Sequence, residues 1–240
     1  MKTFVKIAAA SLAVSLALAA CAPVTLLNGI TPSGSFSKAK DISYGPLARQ
    51  SLDIYKADEP RAGAPVLVFI HGGSWEEGSK DIYKFLAEGF TSEGFDVAVP
   101  NYRLYPDAVY PQMLEDSAKA VAYVAQQFPN RSIVIMGHSA GAYNTLMIGL
   151  NNAFLSAEGM AVCERVSGLV SLAAPTGVYP LKEEPLITIF PDRFQKDDAP
   201  LAYVNAPSPA LFVMNGADDT TVGPKNAEEF AAKVTARGGK

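Results

Sequence analysis

The residues best placed to do chemistry are Gly137-His138-Ser139-Ala140-Gly141, a G-x-S-x-G pentapeptide between an apolar stretch (SIVIM) and a helix-forming one (AGAYNTLMIGL). A serine on a sharp strand-to-helix turn has its hydroxyl exposed above the sheet, and glycines two residues to either side let strand and helix approach. The helix start offers free N–H groups and a positive dipole end to a developing anion. Taken alone, the pentapeptide also fits a glycine-rich helix start with a capping serine; its flanks favour the nucleophile. A second segment, His71-Gly72-Gly73-Ser74-Trp75, follows the apolar run PVLVFI. Paired glycines after a buried strand permit a turn whose N–H groups share one cavity, which acyl transfer needs for its oxyanion. A plain β-turn is the simpler alternative. A third, Asp218-Asp219, follows Ala210–Asn215 in a polar turn, where adjacent acids are often turn formers only.

The elements around these motifs alternate. Ser51–Lys56 reads as a half-buried strand, Pro65–Ile70 as a strand covered on both faces, and Lys80–Phe90 as a helix closed by Gly94. Phe95–Val99, Ser132–Met136, Gly168–Leu172 and Ala210–Met214 read as strands. Gln112–Phe128, Ala140–Leu150 and Lys225–Val234 read as helices. The alternation predicts a mostly parallel sheet with helices on both faces, and all three motifs fall at carboxyl ends of strands, where such sheets bind ligands. Residues 174–209 hold seven of the seventeen prolines and read as a lid-like excursion. Trp75 and Tyr143 are candidates to line the pocket beneath it.

The sequence resembles the α/β-hydrolase fold esterases of the hormone-sensitive-lipase and feruloyl-esterase-like groups. The resemblance rests on Asp53-Ile54-Tyr55, His71-Gly72-Gly73, Asn101-Tyr102-Arg103-Leu104 and the serine elbow, in that order, and runs from about Leu52 to the end of the chain. It implies a serine carboxylesterase acting through an acyl-enzyme, with Ser139 as nucleophile and the N–H groups of Gly72, Gly73 and Ala140 as oxyanion donors. It selects Asp219 as triad acid, with Asp218 the runner-up, and makes Tyr102 and Arg103 structural supports of the oxyanion loop. No metal or organic cofactor is implied. Relatives of this fold also cleave amides, peptides and formamides, and a dead scaffold serving as a surface binding protein is a third reading.

The family's triad histidine follows a last strand. This chain has two histidines, His71 and His138, and Lys240 stands twenty-one residues past Asp219. The expectation is a C-terminally incomplete α/β-hydrolase domain, lacking its last strand and helix and inactive for want of a base. A naturally short, inactive relative is the competing expectation.

The remaining composition narrows the setting. Hydrophobic residues make up 49% and charged ones 18% of 240 residues, which suits one globular domain. A net charge of −4 without a basic cluster argues against a nucleic-acid partner. Lys2 and Lys6 precede an apolar run, Ile7–Ala20, that is short for a membrane span and laid out like an export signal. It ends Leu18-Ala19-Ala20-Cys21, which resembles the lipobox of bacterial lipoproteins. The expectation is a signal over 1–20, a lipid on Cys21, a tether and lead-in loop over 21–46, and a hydrolase domain over 47–240, held to the outer side of a cell-envelope membrane by the lipid. An ordinary signal with a chance cysteine is the alternative. Cys163 then has no disulfide partner and reads as a small buried hydrophobe.

Overall fold

The computed structural model describes residues 26–177, 184–190, 199–205 and 208–239. Seven strands form one sheet: β1 (Phe36–Ser43), β2 (Ser51–Ala57), β3 (Val66–Ile70), β4 (Val97–Pro100), β5 (Ile133–His138), β6 (Val166–Leu172) and β7 (Ala210–Met214). Their order is β1-β2-β4-β3-β5-β6-β7. The pairs β1–β2 and β2–β4 are antiparallel, and the other five strands run parallel. This is the mostly parallel sheet expected from the alternating elements, in the fold that the resemblance to α/β-hydrolases implies.

The pleat sorts each central strand between two cores. Val66, Val68 and Ile70 of β3, with Ile133 and Ile135 of β5, pack under helices α2 (Gln112–Gln127) and α3 (Ala140–Leu150). Leu67, Phe69 and Met136 point the other way, toward α1 (Lys84–Thr91). Alternation by twos is a direct consequence of strand geometry, and it explains why VLVFI is buried throughout. The last helix, α4 (Lys225–Ala236), packs Phe230 and Val234 against Ala142 and Leu146 on the α3 side. Among the described residues, the opposite face is helix-covered only near α1. Toward β7 it is an open apolar trough of about 400 Å³ floored by residues such as Val134, Val170, Phe212 and Met214.

Four expectations are corrected. Residues 36–43, assigned to the lead-in loop, form the edge strand β1, so sheet structure begins well before residue 47. Residues 26–30, assigned to a tether, make one helical turn. The helix expected over 80–90 is broken: Lys80–Ile82 is a 3₁₀ turn, and α1 starts at Lys84. The break holds Lys80 in place. Its backbone N–H donates to Asn101 Oδ1, and its buried ammonium sits 2.9 Å from Asp53 and 2.6 Å from Asp41. Lys38 reaches Asp53 at 2.6 Å. These cations hold the Asp53 carboxyl below its ordinary range against the opposing pull of burial. Finally, Cys163 is exposed, because Val162 takes the inward place in its short helix. Residues 1–25, including the signal-like run and Cys21, and much of 174–209 lie outside the described residues. No described helix is long and apolar enough to cross a membrane.

Candidate active site

Ser139 stands between β5 and α3 with φ 52° and ψ −121°, a left-handed conformation that non-glycine residues rarely adopt. Its N–H donates to Leu172 O at 2.8 Å, and its carbonyl accepts from Ala142 and Tyr143 as α3 begins. The flanking glycines are steric necessities. A β-carbon on Gly137 would lie 2.2 Å from Gly141 O, and one on Gly141 would lie 2.1 Å from Ile70 O. Backbone therefore packs on backbone where β3, β5 and α3 meet. Ala140 is the first residue of α3, where N–H groups have no intrahelical acceptor.

The 71–75 turn abuts this elbow. A β-carbon on Gly72 would sit 3.2 Å from Ser139 Cβ and 2.8 Å from His138 O. Gly73, Ser74 and Trp75 then take three consecutive positive φ values of 118°, 51° and 61°. Ser74 and Trp75 of this run border the cavity beside Ser139. The cavity has a volume of about 160 Å³. Its walls include Ser74, Trp75, Ser139, Ala140, Tyr143 and Phe190. Gly72, expected as an oxyanion donor, packs directly against the elbow.

The turn is held from behind. Tyr102 is fully buried and its hydroxyl donates to His71 O at 2.9 Å, while its ring stacks on the His71 imidazole at 4.5 Å. Arg49 bridges Tyr102 O and Gly78 O at 2.7 and 2.9 Å. Arg103 grips the buried Asp116 with two nitrogens at 2.7 and 2.8 Å, and Gln50 donates to the same carboxylate. Both Tyr102 and Arg103 therefore act as braces. His71 Nδ1 donates to Gly72 O at 2.8 Å, and burial drives its pKa down to about 4, so it is neutral at pH 7.

Asp219 is drawn toward the site by its own turn. Its Oδ1 accepts from the N–H groups of Thr221 and Val222, both at 2.9 Å, and those two residues border the cavity. Its charge reaches His138, where it opposes the downward pull of burial on that imidazole. Asp218 is exposed. The sequence reading missed Ser74, Phe190 and Asn144. Asn144 accepts from the Trp75 indole N–H at 2.9 Å and donates to Ser117 Oγ at 3.1 Å, and Ser117 donates to Met113 O. Its only signal was a polar residue in an otherwise apolar helix. Of the expected lid, the described pieces Pro175–Gly177 and Leu186–Phe190 lie against the cavity, with Phe190 edge-on to Trp75 at 4.7 Å. Among the described residues, no three His, Cys, Asp or Glu side chains gather as metal ligands.

A strained serine elbow, a left-handed turn against it and an apolar cavity between them, on this sheet order, define an esterase-type α/β hydrolase. The comparisons place it further. The chain belongs to the BD-FAE family, whose model matches residues 52–234. It is 28% identical over 64% of its length to a probable isoprenylcysteine alpha-carbonyl methylesterase of Oryza sativa subsp. japonica, covering 38% of that protein. It is 27% identical over 70% of its length to a kynurenine formamidase of Danio rerio, covering 55% of it. The chain thus spans between about a third and a little over half of these curated relatives. Its fold matches esterase B of Lactobacillus rhamnosis, solved with a tributyrin phosphonate inhibitor, at a TM-score of 0.76 and 18% identity, covering 98% of this chain and 82% of that one.

Proposed function

We propose that this chain carries the nucleophile, oxyanion turn and acid of a carboxylesterase site that works through an acyl-enzyme, with Ser139 as nucleophile. The observation that carries the reading is the left-handed Ser139 opening onto the apolar cavity beside the Ser74–Trp75 turn. Ser139 Oγ attacks the ester carbonyl and forms an acyl-enzyme, expelling the alcohol. The oxyanion is met by the N–H of Ala140 at the helix start and by those of Gly72 and Gly73 in the turn. Asp219 is the acid that orients a triad imidazole. Neither histidine of the chain serves as that imidazole: His71 is buried against Tyr102, with Nδ1 committed to Gly72 O, and the His138 ring lies beside Gly72. The 240 residues alone therefore turn over slowly, because a hydroxyl without a base is a weak nucleophile.

A fluorophosphonate probe tests the reading. Labelling of the protein, weak in this chain and abolished by Ser139→Ala, is expected; labelling that survives Ser139→Ala sinks it, and no labelling even at high probe concentration favours a binding scaffold. The formamidase relative favours a second reading, a formamide as the bond cleaved. Turnover of p-nitrophenyl butyrate against an N-formyl arylamine separates the two.

The same proposal includes the setting: the run Ile7–Ala20 exports the chain, and Cys21 becomes its lipidated N-terminus on a cell-envelope membrane. The mass of the N-terminal peptide from membrane-extracted protein tests this part.

A further inference from the structure

Leu26, Leu27 and Ile30 are exposed by 66%, 40% and 69%. They occupy a single helical turn, and spacings of three and four residues put all three on one side of it. The polar residue of the turn, Asn28, points the opposite way, into the protein. Its Nδ2 donates to Asp81 O and its Oδ1 accepts from Phe85 N–H, both at 3.2 Å. Lys84 Nζ adds a bond to Thr31 O at 2.7 Å. The turn is therefore built inside out, with the amide fastened to the domain and the aliphatic side chains presented to the surroundings. A water-facing turn would be expected to have the reverse arrangement.

Its place in the fold is also specific. Asp81 and Phe85 follow the loop that leaves the carboxyl end of β3, so the turn sits at the same end of the sheet as Ser139. The turn holding Leu47, exposed by 45%, is at that end too, because β2 starts opposite Pro100, the last residue of β4. Ile187, exposed by 39%, belongs to the short helix Leu186–Ile189 beside the cavity. Of the seven large apolar side chains exposed among the described residues, five thus cluster at the active-site end, and the other two, Phe212 and Met214, line the trough on the sheet face.

We propose that the carboxyl end of the sheet, led by Leu26, Leu27 and Ile30, docks on a phospholipid bilayer, so that the mouth of the cavity faces the membrane and the site takes esters presented from a lipid surface. The occupant is argued from the chain itself. Leu26 is five positions on from Cys21, a stretch that spans at most about 18 Å, so a lipid on Cys21 keeps this turn beside the bilayer. An apolar face held at that distance inserts at the interface and fixes the orientation that a flexible lipid anchor leaves free. This inference rests on the lipidation of Cys21 proposed above.

The test uses the full chain, produced with its own leader in a bacterial host and reconstituted in phosphatidylglycerol and phosphatidylcholine vesicles, some with brominated acyl chains. Ile30→Trp and Ser92→Trp place reporters at the proposed contact and at the far end of α1, and wild-type emission from buried Trp75 sets the background. The expected result is a blue shift and several-fold stronger quenching by brominated lipid at position 30 than at 92. Equal quenching at the two positions overturns the proposal. So does a blue shift at position 30 without vesicles, which would mean that a second copy covers the turn. An N-terminal peptide lacking the lipid mass overturns the lipoprotein reading separately, and added vesicles then still decide the docking face through the same two reporters.

Discussion

Gly141→Ala should strongly destabilise the protein, although helix propensity alone predicts the opposite. Gly141 is the second residue of α3, and replacing a helical glycine by alanine ordinarily stabilises by about 0.5–1 kcal/mol. Here the added methyl would sit 2.1 Å from Ile70 O and 2.3 Å from His71 O. Ordinary contact begins near 3.4 Å, so α3 must move from the end of β3 by roughly 1 Å. Both obstacles are backbone carbonyls, and no rotamer change can relieve them. Overpacking of this kind costs about 1–3 kcal/mol, and a rigid obstacle puts the value at the upper end. For a domain of this size, about 3 kcal/mol lowers the melting temperature by roughly 6–12 °C. Gly89→Ala, in α1 with no atom within 4 Å of the new methyl, is the control and should raise the midpoint by a few degrees. Urea and thermal unfolding of the two variants read the contrast. A Gly141→Ala protein as stable as wild type would refute the close approach of elbow and oxyanion turn on which the site is built.

Other outcomes follow from the same coordinates. Asp116→Ala strands the Arg103 guanidinium and Gln50 without their shared acceptor and should cost about 3–5 kcal/mol in urea unfolding. His71 is held neutral with a folded pKa of about 4 against 6.5 when free. The unfolded chain therefore binds more protons between those values, and stability should fall by about 3 kcal/mol as pH drops from 6.5 to 4. His71→Asn should flatten that part of the urea-midpoint profile. Ser139→Gly relieves a left-handed serine and should raise stability by about 1 kcal/mol while abolishing fluorophosphonate labelling.

Much of this architecture could be read from residue types, for reasons that differ by element. VLVFI is buried on both faces and SIVIM is largely buried, so continuous apolar runs marked them, and the pentapeptide marked the turn between β5 and α3. Strand β1 escaped because FSKAKDIS is an edge: its outward positions are polar or charged, as exposed edges tend to be, and only Phe36 is buried. Nothing local marked Lys80 as buried, since its carboxylate partners at positions 41 and 53 are far away in sequence. The glycine pair at 72–73 announced a turn, whereas the positive φ values at Ser74 and Trp75 were not legible, because these are not types that advertise one. Asp219 over Asp218 came from family position, and the two backbone N–H groups that its Oδ1 accepts were not legible in the sequence.

The relay from Trp75 through Asn144 and Ser117 to the Met113 carbonyl gives the cavity wall a control point one layer back. Ser117 touches no substrate, yet the amide that fixes the indole depends on it, and α2 carries it on the far side of α3. Selection or design acting at position 117 can therefore retune what fits beside Ser139 while leaving every wall residue in place.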